Sequence, residues 1–360
     1  MSCPVLNVKH LSSCKGVINS LHSLGMIFQP VNSNPGTSTT LWVNKKNNHL
    51  YIGDTDIEST TTLPSGINYS DYLYWDLNTW KVGSQSVHLG TNASLSGGPP
   101  DTVAIGKDAG KNSESFSVAI GKQAGSINQK EFSVAIGSQA GETDQKIQSV
   151  AIGYQAGQNT QGEISIAIGD SAAITNQGDK CIAIGKRAGA TDQVNSIAIG
   201  TRAGESKQEN SIAIGYQAGS INQVDSIAIG NYSGVTRQKT KSIGIGNMSG
   251  FFKQQGSAIG IGYNAGNNEQ QPYSIAIGTN AGKTNQGKYS IAIGNDAGTI
   301  DQNTKSIIIS AGTGGIENKT TKGLFVKPIR KVQGSPPSTS YRLYYNRSTK
   351  EILYYKPPPP

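Results

Sequence analysis

One motif, Ser-(Ile/Val)-Ala-Ile-Gly-x-x-Ala-Gly-x-x-x-Gln, recurs fourteen times between Ser86 and Gly294. The glycine closing each strand-like stretch falls at Gly90, Gly106, Gly121, Gly137, Gly153, Gly169, Gly185, Gly200, Gly215, Gly230, Gly246, Gly262, Gly278 and Gly294, in steps of 16 or 15 residues. So short and regular a period means one structural unit stacked on copies of itself. It implies a solenoid and argues against an enzyme built around a cleft.

Within Ser196-Ile197-Ala198-Ile199-Gly200 the branched residues are two apart, which is strand periodicity. Ile197 and Ile199 therefore point one way, and Ser196 and Ala198 the other. A helix followed by two turns does not fit the period. Each unit is then one turn of a β-coil, and stacking at about 4.8 Å per turn gives a rod roughly 65 Å long. Placing the branched residues inside makes a narrow Ile/Val core. The small face, Ala119, Ala135, Ala151, Ala167, Ala183, Ala198, Ala213, Ala228, Ala276 and Ala292, with Gly244 and Gly260 in the same row, is then expected to lie outside as a subunit interface.

The strand glycine and the glycine four residues later (Gly125, Gly141, Gly157, Gly189, Gly204, Gly219) are expected to be turn residues with positive φ, and Ala173 replaces the second of them once. A glutamine follows the strand glycine by eight residues at Gln129, Gln145, Gln161, Gln177, Gln193, Gln208, Gln223, Gln238, Gln254, Gln270, Gln286 and Gln302. Both period lengths preserve this spacing, because the extra residue enters after the glutamine. Stacked amides can hydrogen-bond along the rod as a ladder; the alternative is that they satisfy turn carbonyls. The motif decays at its ends, with His88 in the alanine position of the first turn and Ile308 and Ser310 departing from it in the last. Capping turns behave in this way.

The stretches Ser133 to Ala140 and Ser149 to Ala156 resemble the head repeat of YadA-like trimeric autotransporter adhesins, a repeat also found in phage and large-virus fibre and surface proteins. The resemblance covers about 220 of the 360 residues. It implies a left-handed parallel β-roll, three chains around an axis, with the alanine face toward neighbours. The period of 15 or 16 and the fixed glutamine depart from the adhesin pattern and match a viral-looking variant. Segments Leu41 to Asn44, Leu50 to Asp54, Tyr72 to Asp76 and Trp80 to Gly83 alternate around Asn/Asp-rich turns, as hairpins do. They resemble small hairpin modules of viral fibres. Gly323 to Arg330, Leu343 to Asn346 and Lys350 to Tyr355 resemble the segment preceding a self-cleaving chaperone domain in such fibres, here followed by Pro357 to Pro360.

The expected fold is therefore all-β, a parallel β-solenoid of about 14 turns with small hairpin caps, assembled as a trimer. Its parts are an attachment region (1–84), the repeats (85–310) and a basic, tyrosine-rich tail (311–360). Hydrophobic residues make up only 35% and glycine 45 positions, which suits a thin coil. Residues 1–100 carry five basic and five acidic side chains, the repeats 17 and 16, and residues 310–360 nine and two. Nearly all of the net +8 thus sits in the tail, on Lys319, Lys322, Lys327, Arg330, Lys331, Arg342, Arg347, Lys350 and Lys356. Such charge attracts an acidic surface or simply aids solubility; nucleic acid is not an expected partner. The tyrosines Tyr341, Tyr344, Tyr345, Tyr354 and Tyr355 read as cross-strand contacts of a terminal hairpin.

Residues 1–30 lack a basic start followed by an apolar run, and no stretch is long enough to span a membrane, so neither secretion nor insertion is expected. Cys3, Cys14 and Cys181 are too scattered for a disulfide framework or zinc site. His10, His22, His49 and His88 have no triad or metal spacing, Asp54 and Asp56 read as turn residues, and the Gly-x-Gly runs at Gly244 and Gly260 are repeat glycines rather than nucleotide loops. No catalytic, cofactor or metal residue is expected. The resulting expectation is a non-enzymatic virion component, a trimeric fibre, spike or minor capsid protein assembled in the host cytoplasm. Its partners would be two further copies, other capsid proteins and a host-surface glycan or receptor. The alternatives are a bacterial trimeric adhesin head at the cell surface and a fibre-borne glycan depolymerase; the last is disfavoured because no carboxylate recurs at a fixed repeat position.

Overall fold

In the computed structural model the chain divides into two units, Met1–Ser84 and Gln85–Pro360. The described residues are 30–31, 41–44, 50–52, 55–56, 71–76, 79–83, 85–95, 100–236, 238–312, 314–329, 342–346, 348 and 352–355. Residues 1–29, with Cys3, Cys14, His10 and His22, lie outside them, as do His49, Asp54, Arg330, Lys331, Tyr341, Arg347, Lys350 and Lys356 to Pro360. No helix occurs among the described residues.

The second unit is a parallel β-solenoid. Each turn gives one strand of three or four residues, from Val87–Leu89 and Val103–Ile105 to Ile307–Ser310, and Leu324–Lys327 completes a 16-stranded sheet. The register pairs identical positions: Ile197 lies between Ile182 and Ile212, and Ala198 between Ala183 and Ala213. The glutamine segments form the opposite wall. From Asn112–Ser113 to Ile221–Val224 they make an eight-stranded parallel sheet, which continues as single bridges from Thr236 to Ile300.

Left-handed corners turn the chain between the walls. Gly200 has φ 122°, and a Cβ there would lie 2.7 Å from the carbonyl oxygen of Gly215 one turn on, so only glycine lets successive turns approach. Three other corners per turn use ordinary residues, as at Arg202 (φ 58°), Lys207 (φ 52°) and Asn210 (φ 48°). Each costs about 1–2 kcal/mol. Stacking offsets that cost: the Arg202 N–H donates to the Lys186 carbonyl at 2.8 Å and the Asn210 N–H to the Val194 carbonyl at 3.0 Å, each one turn away.

The side chains are arranged in the reverse of the expected sense. Ala119, Ala135, Ala151, Ala167, Ala183, Ala198, Ala213, Ala228, Ala276 and Ala292 are buried inside the single coil, at 0–1% exposure, while the flanking Ile and Val are only half buried. The alanines are therefore core, and their assignment as a subunit interface is corrected. Strand alternation lets one parity face inward. A 15- or 16-residue circuit leaves room there for Ala198, the corner alanine Ala203, Ser196 and Gln208, all buried, and not for branched rows. The exception supports this: Ile308 is fully buried in the alanine position, where Ile307 pairs with Leu324 across a longer circuit and Ile316 and Phe325 join the cluster.

The 15-residue turns absorb their deletion at the serine corner. Ser196, Ser211 and Ser226 donate Oγ to the carbonyl two residues back, whereas Ser165 and Ser290 reach the third. The strand and glutamine rows are undisturbed.

In the first unit, Pro30–Val31 pairs in parallel with Leu41–Asn44, which forms antiparallel pairs with Leu50–Ile52. A hairpin joins Tyr72–Asp76 to Thr79–Gly83, with Trp75 opposite Trp80 and their rings edge to face at 5.6 Å. In the second unit, Arg342–Tyr345 pairs with Ile352–Tyr355, placing Leu343 opposite Tyr354 and Tyr344 opposite Leu353 rather than tyrosine against tyrosine.

Candidate functional site

Fourteen of the sixteen strands turn Ile or Val outward at their first and third positions, Leu89 and Leu324 continuing the row at its ends, with Ile277, Ile293, Ile307 and Ile309 each more than a third exposed. Fourteen strands at about 4.8 Å and three residues at about 3.3 Å make a face of roughly 650 Å². That exceeds the largest apolar patch of most soluble monomers, about 300–600 Å². A flat branched-apolar face of this size is suited to packing on another copy of itself. These residues, expected inside the coil from their branched apolar character, lie outside it.

Behind that face runs the glutamine spine. Gln208 Nε2 donates to Gln223 Oε1 at 3.1 Å and to the Ile197 carbonyl at 3.3 Å. Side-chain bonds of this kind link Gln177 to Gln302 turn by turn, all pointing the same way, and a separate bond joins Gln145 to Gln161. Both roles considered for the amide coexist, since Nε2 of Gln129 and of every later glutamine in the row also caps a strand carbonyl. Gln129, Gln145 and Gln177 have Oε1 atoms without a partner. The turn glycines fit this spine: a Cβ at Gly189 would lie 2.7 Å from Gln193 Oε1.

Among the described residues few ionisable groups are perturbed. Burial pushes the Cys181 thiol up, in a serine position where Sγ accepts from the Ser196 N–H at 3.5 Å. Burial lowers His88, whose ring bonds Thr102 Oγ1 at 3.1 Å in the first turn. The Glu163 N–H holds Asp179 below the usual carboxylate range, and the Ser171 hydroxyl does the same for Asp170. Among the described residues no group of three or more His, Cys, Asp or Glu could hold a metal ion, and no helix is long and apolar enough to cross a membrane.

An Ala/Ser/Gln-filled coil with identical residues paired in register and branched side chains turned out is a parallel β-solenoid built from one repeated turn. The YadA head domain repeat family matches the chain in two copies, over residues 178–203 and 206–233. The matched turns are YadA-like head repeats, and the other turns of the coil stack in register with them. No curated protein and no solved structure matches the chain.

Proposed function

We propose that the chain is a non-enzymatic component of a homotrimeric fibre, with the solenoid as a stiff spacer and attachment segment of a virion. The observation that carries this reading is the outward Ile/Val face, continuous over the 16-stranded sheet and too large to remain open to water. Three copies turning that face toward a common axis bury it in a closed cyclic assembly. Exposed loop residues before the glutamine differ from turn to turn, as at Asn128, Asp144 and Lys207, which leaves them free for recognition. The family match favours a second setting for the same fibre, the head of a trimeric adhesin on a bacterial surface. Light scattering on the full chain tests the assembly: three times the chain mass of 37.8 kDa supports it, and a single chain mass overturns it. Antibody labelling of particles against cell surfaces separates the two settings.

A further inference from the structure

Two columns of side chains flank the corner after the strand glycine, one residue from each per turn. Arg187, Arg202, Gln217 and Tyr232 form the first; Ala190, Glu205, Ser220, Val235 and Phe251 form the second. Between them lies a groove of about 500 Å³. It opens because Ala190 and Ser220 are small and buried. Beyond it, Phe251 meets Tyr232 edge-on at 6.3 Å, and Tyr232 in turn packs on Tyr216 at 5.2 Å.

Both arginines are held by one carboxylate. Arg187 Nε lies 2.8 Å from Glu205 Oε1, and Arg202 Nε 2.8 Å from Glu205 Oε2, with the Glu205 side chain only 16% exposed. Among the described residues neither guanidinium has another hydrogen bond, so their terminal amino groups remain available as donors. Two cations against one anion leave the groove one positive charge in excess. Lys186 beside it is already engaged with Asp170 at 3.2 Å.

We propose that this groove binds an acidic saccharide. Its carboxylate or sulfate would sit between the guanidinium forks of Arg187 and Arg202, which Glu205 pre-orients. The adjoining pyranose would lie against Tyr216 and Tyr232, whose rings shield its apolar face from water. Gln217, Thr191 and Ser206 supply polar groups for sugar hydroxyls. A single excess charge is too little for a polyanion gripped through its backbone alone, which needs many cationic contacts. The inference rests on the attachment role and supplies that role's ligand class.

The test is calorimetric titration of the full chain with a hyaluronan tetrasaccharide (carboxylates only), a heparin tetrasaccharide (carboxylates and sulfates) and neutral maltotetraose. At least one acidic ligand is expected to bind tenfold or more tightly than maltotetraose; binding of hyaluronan assigns a carboxylate, and binding of heparin alone a sulfate. Arg187→Gln/Arg202→Gln is expected to lose at least tenfold in affinity. Ser220→Phe should lose as much with both arginines in place, because phenylalanine already stands at that repeat position at Phe251. Acidic ligands binding no better than maltotetraose, or binding both variants as they bind the wild-type chain, would overturn the proposal. Scattering run in parallel separates the two readings. A trimer without saccharide binding sinks this site alone, and a binding-competent monomer sinks the trimer while leaving the site in place.

Discussion

Ala173 occupies the glycine position of the Gln177 turn, and the glutamine ladder breaks there. At the equivalent glycines an added Cβ would crowd the same turn's Oε1, and Ala173 carries that Cβ in a left-handed conformation, φ 47°. No side-chain bond joins Gln161 to Gln177, and Gln177 Oε1 has no partner. Ala173→Gly removes the crowding and the left-handed cost, offset by glycine's larger unfolded entropy. With one hydrogen bond regained, it should stabilise the coil by about 1 kcal/mol, read as a higher urea midpoint. The gap before Gln145 has no such substitution, and nothing in the structure explains it.

Replacing a central glutamine has the opposite sign. Gln208→Leu leaves Gln223 Oε1 buried without its donor and Gln193 without one acceptor, and takes the side-chain donor from the Ile197 carbonyl. A loss of about 2–4 kcal/mol is expected in urea unfolding. Lys207→Leu next to it, on the exposed corner, should change stability by less than about 0.5 kcal/mol.

The outward face can be broken without touching the core. Ile199→Glu/Ile229→Glu places carboxylates on the Ile/Val row while Ala198 and Ala228 stay packed. Far-ultraviolet circular dichroism should keep its strand signal while the scattering mass falls to one chain. A trimer that survives this change would exclude the face as the interface.

The first turn should respond to acid. Burial favours neutral His88, so its folded pKa lies below the unfolded value of about 6.5. The unfolded chain then binds more protons, and stability present above pH 6.5 is lost as pH falls toward the folded pKa. Amides of Val87 to Leu89 should exchange faster at pH 5.5 than at pH 7.5, after correction for intrinsic rates. His88→Ala, which restores the repeat residue, should remove that difference.

Cys181 is fully buried and its thiol is pushed up by burial, so it should resist alkylation at pH 8 until the coil opens. Peptide mapping after iodoacetamide treatment checks this, with full labelling in urea as the reference. Rapid labelling of Cys181 in the native chain would show that the coil opens there.

The period alone made the fold legible, because stacking in register demands that identical positions meet. Which parity faces inward was not legible from strand alternation, which is symmetric between the two faces. A finer signal was present. Wherever the corner alanine becomes serine, at Ser233 and Ser249, the next strand alanine becomes glycine, at Gly244 and Gly260. Ser233 Oγ bonds the Gly244 carbonyl at 2.8 Å, and Ser249 Oγ the Gly260 carbonyl at 2.7 Å. A Cβ at Gly260 would lie 2.7 Å from Ser249 Oγ, so the paired exchange conserves interior volume and marks the alanine row as core. The non-glycine corners at Gln123, Phe132 or Tyr273 carried no such mark, since backbone stacking, not residue type, sets their conformation. The groove was equally hidden, because it needs Arg187, Arg202 and Glu205 from successive turns to meet. Leu324–Lys327, placed in the tail by its composition, extends the sheet because Leu324 to Val326 repeat the apolar strand pattern without the Ala and Gly.

Pairing of like with like has a consequence for how such a chain changes over generations. Junctions between the central turns share one register, so duplicating or deleting one 15- or 16-residue unit gives each neighbour a partner of the same kind. Each such event alters the reach of the coil by about 4.8 Å and little else. The gene thus carries a ruler graduated in single turns.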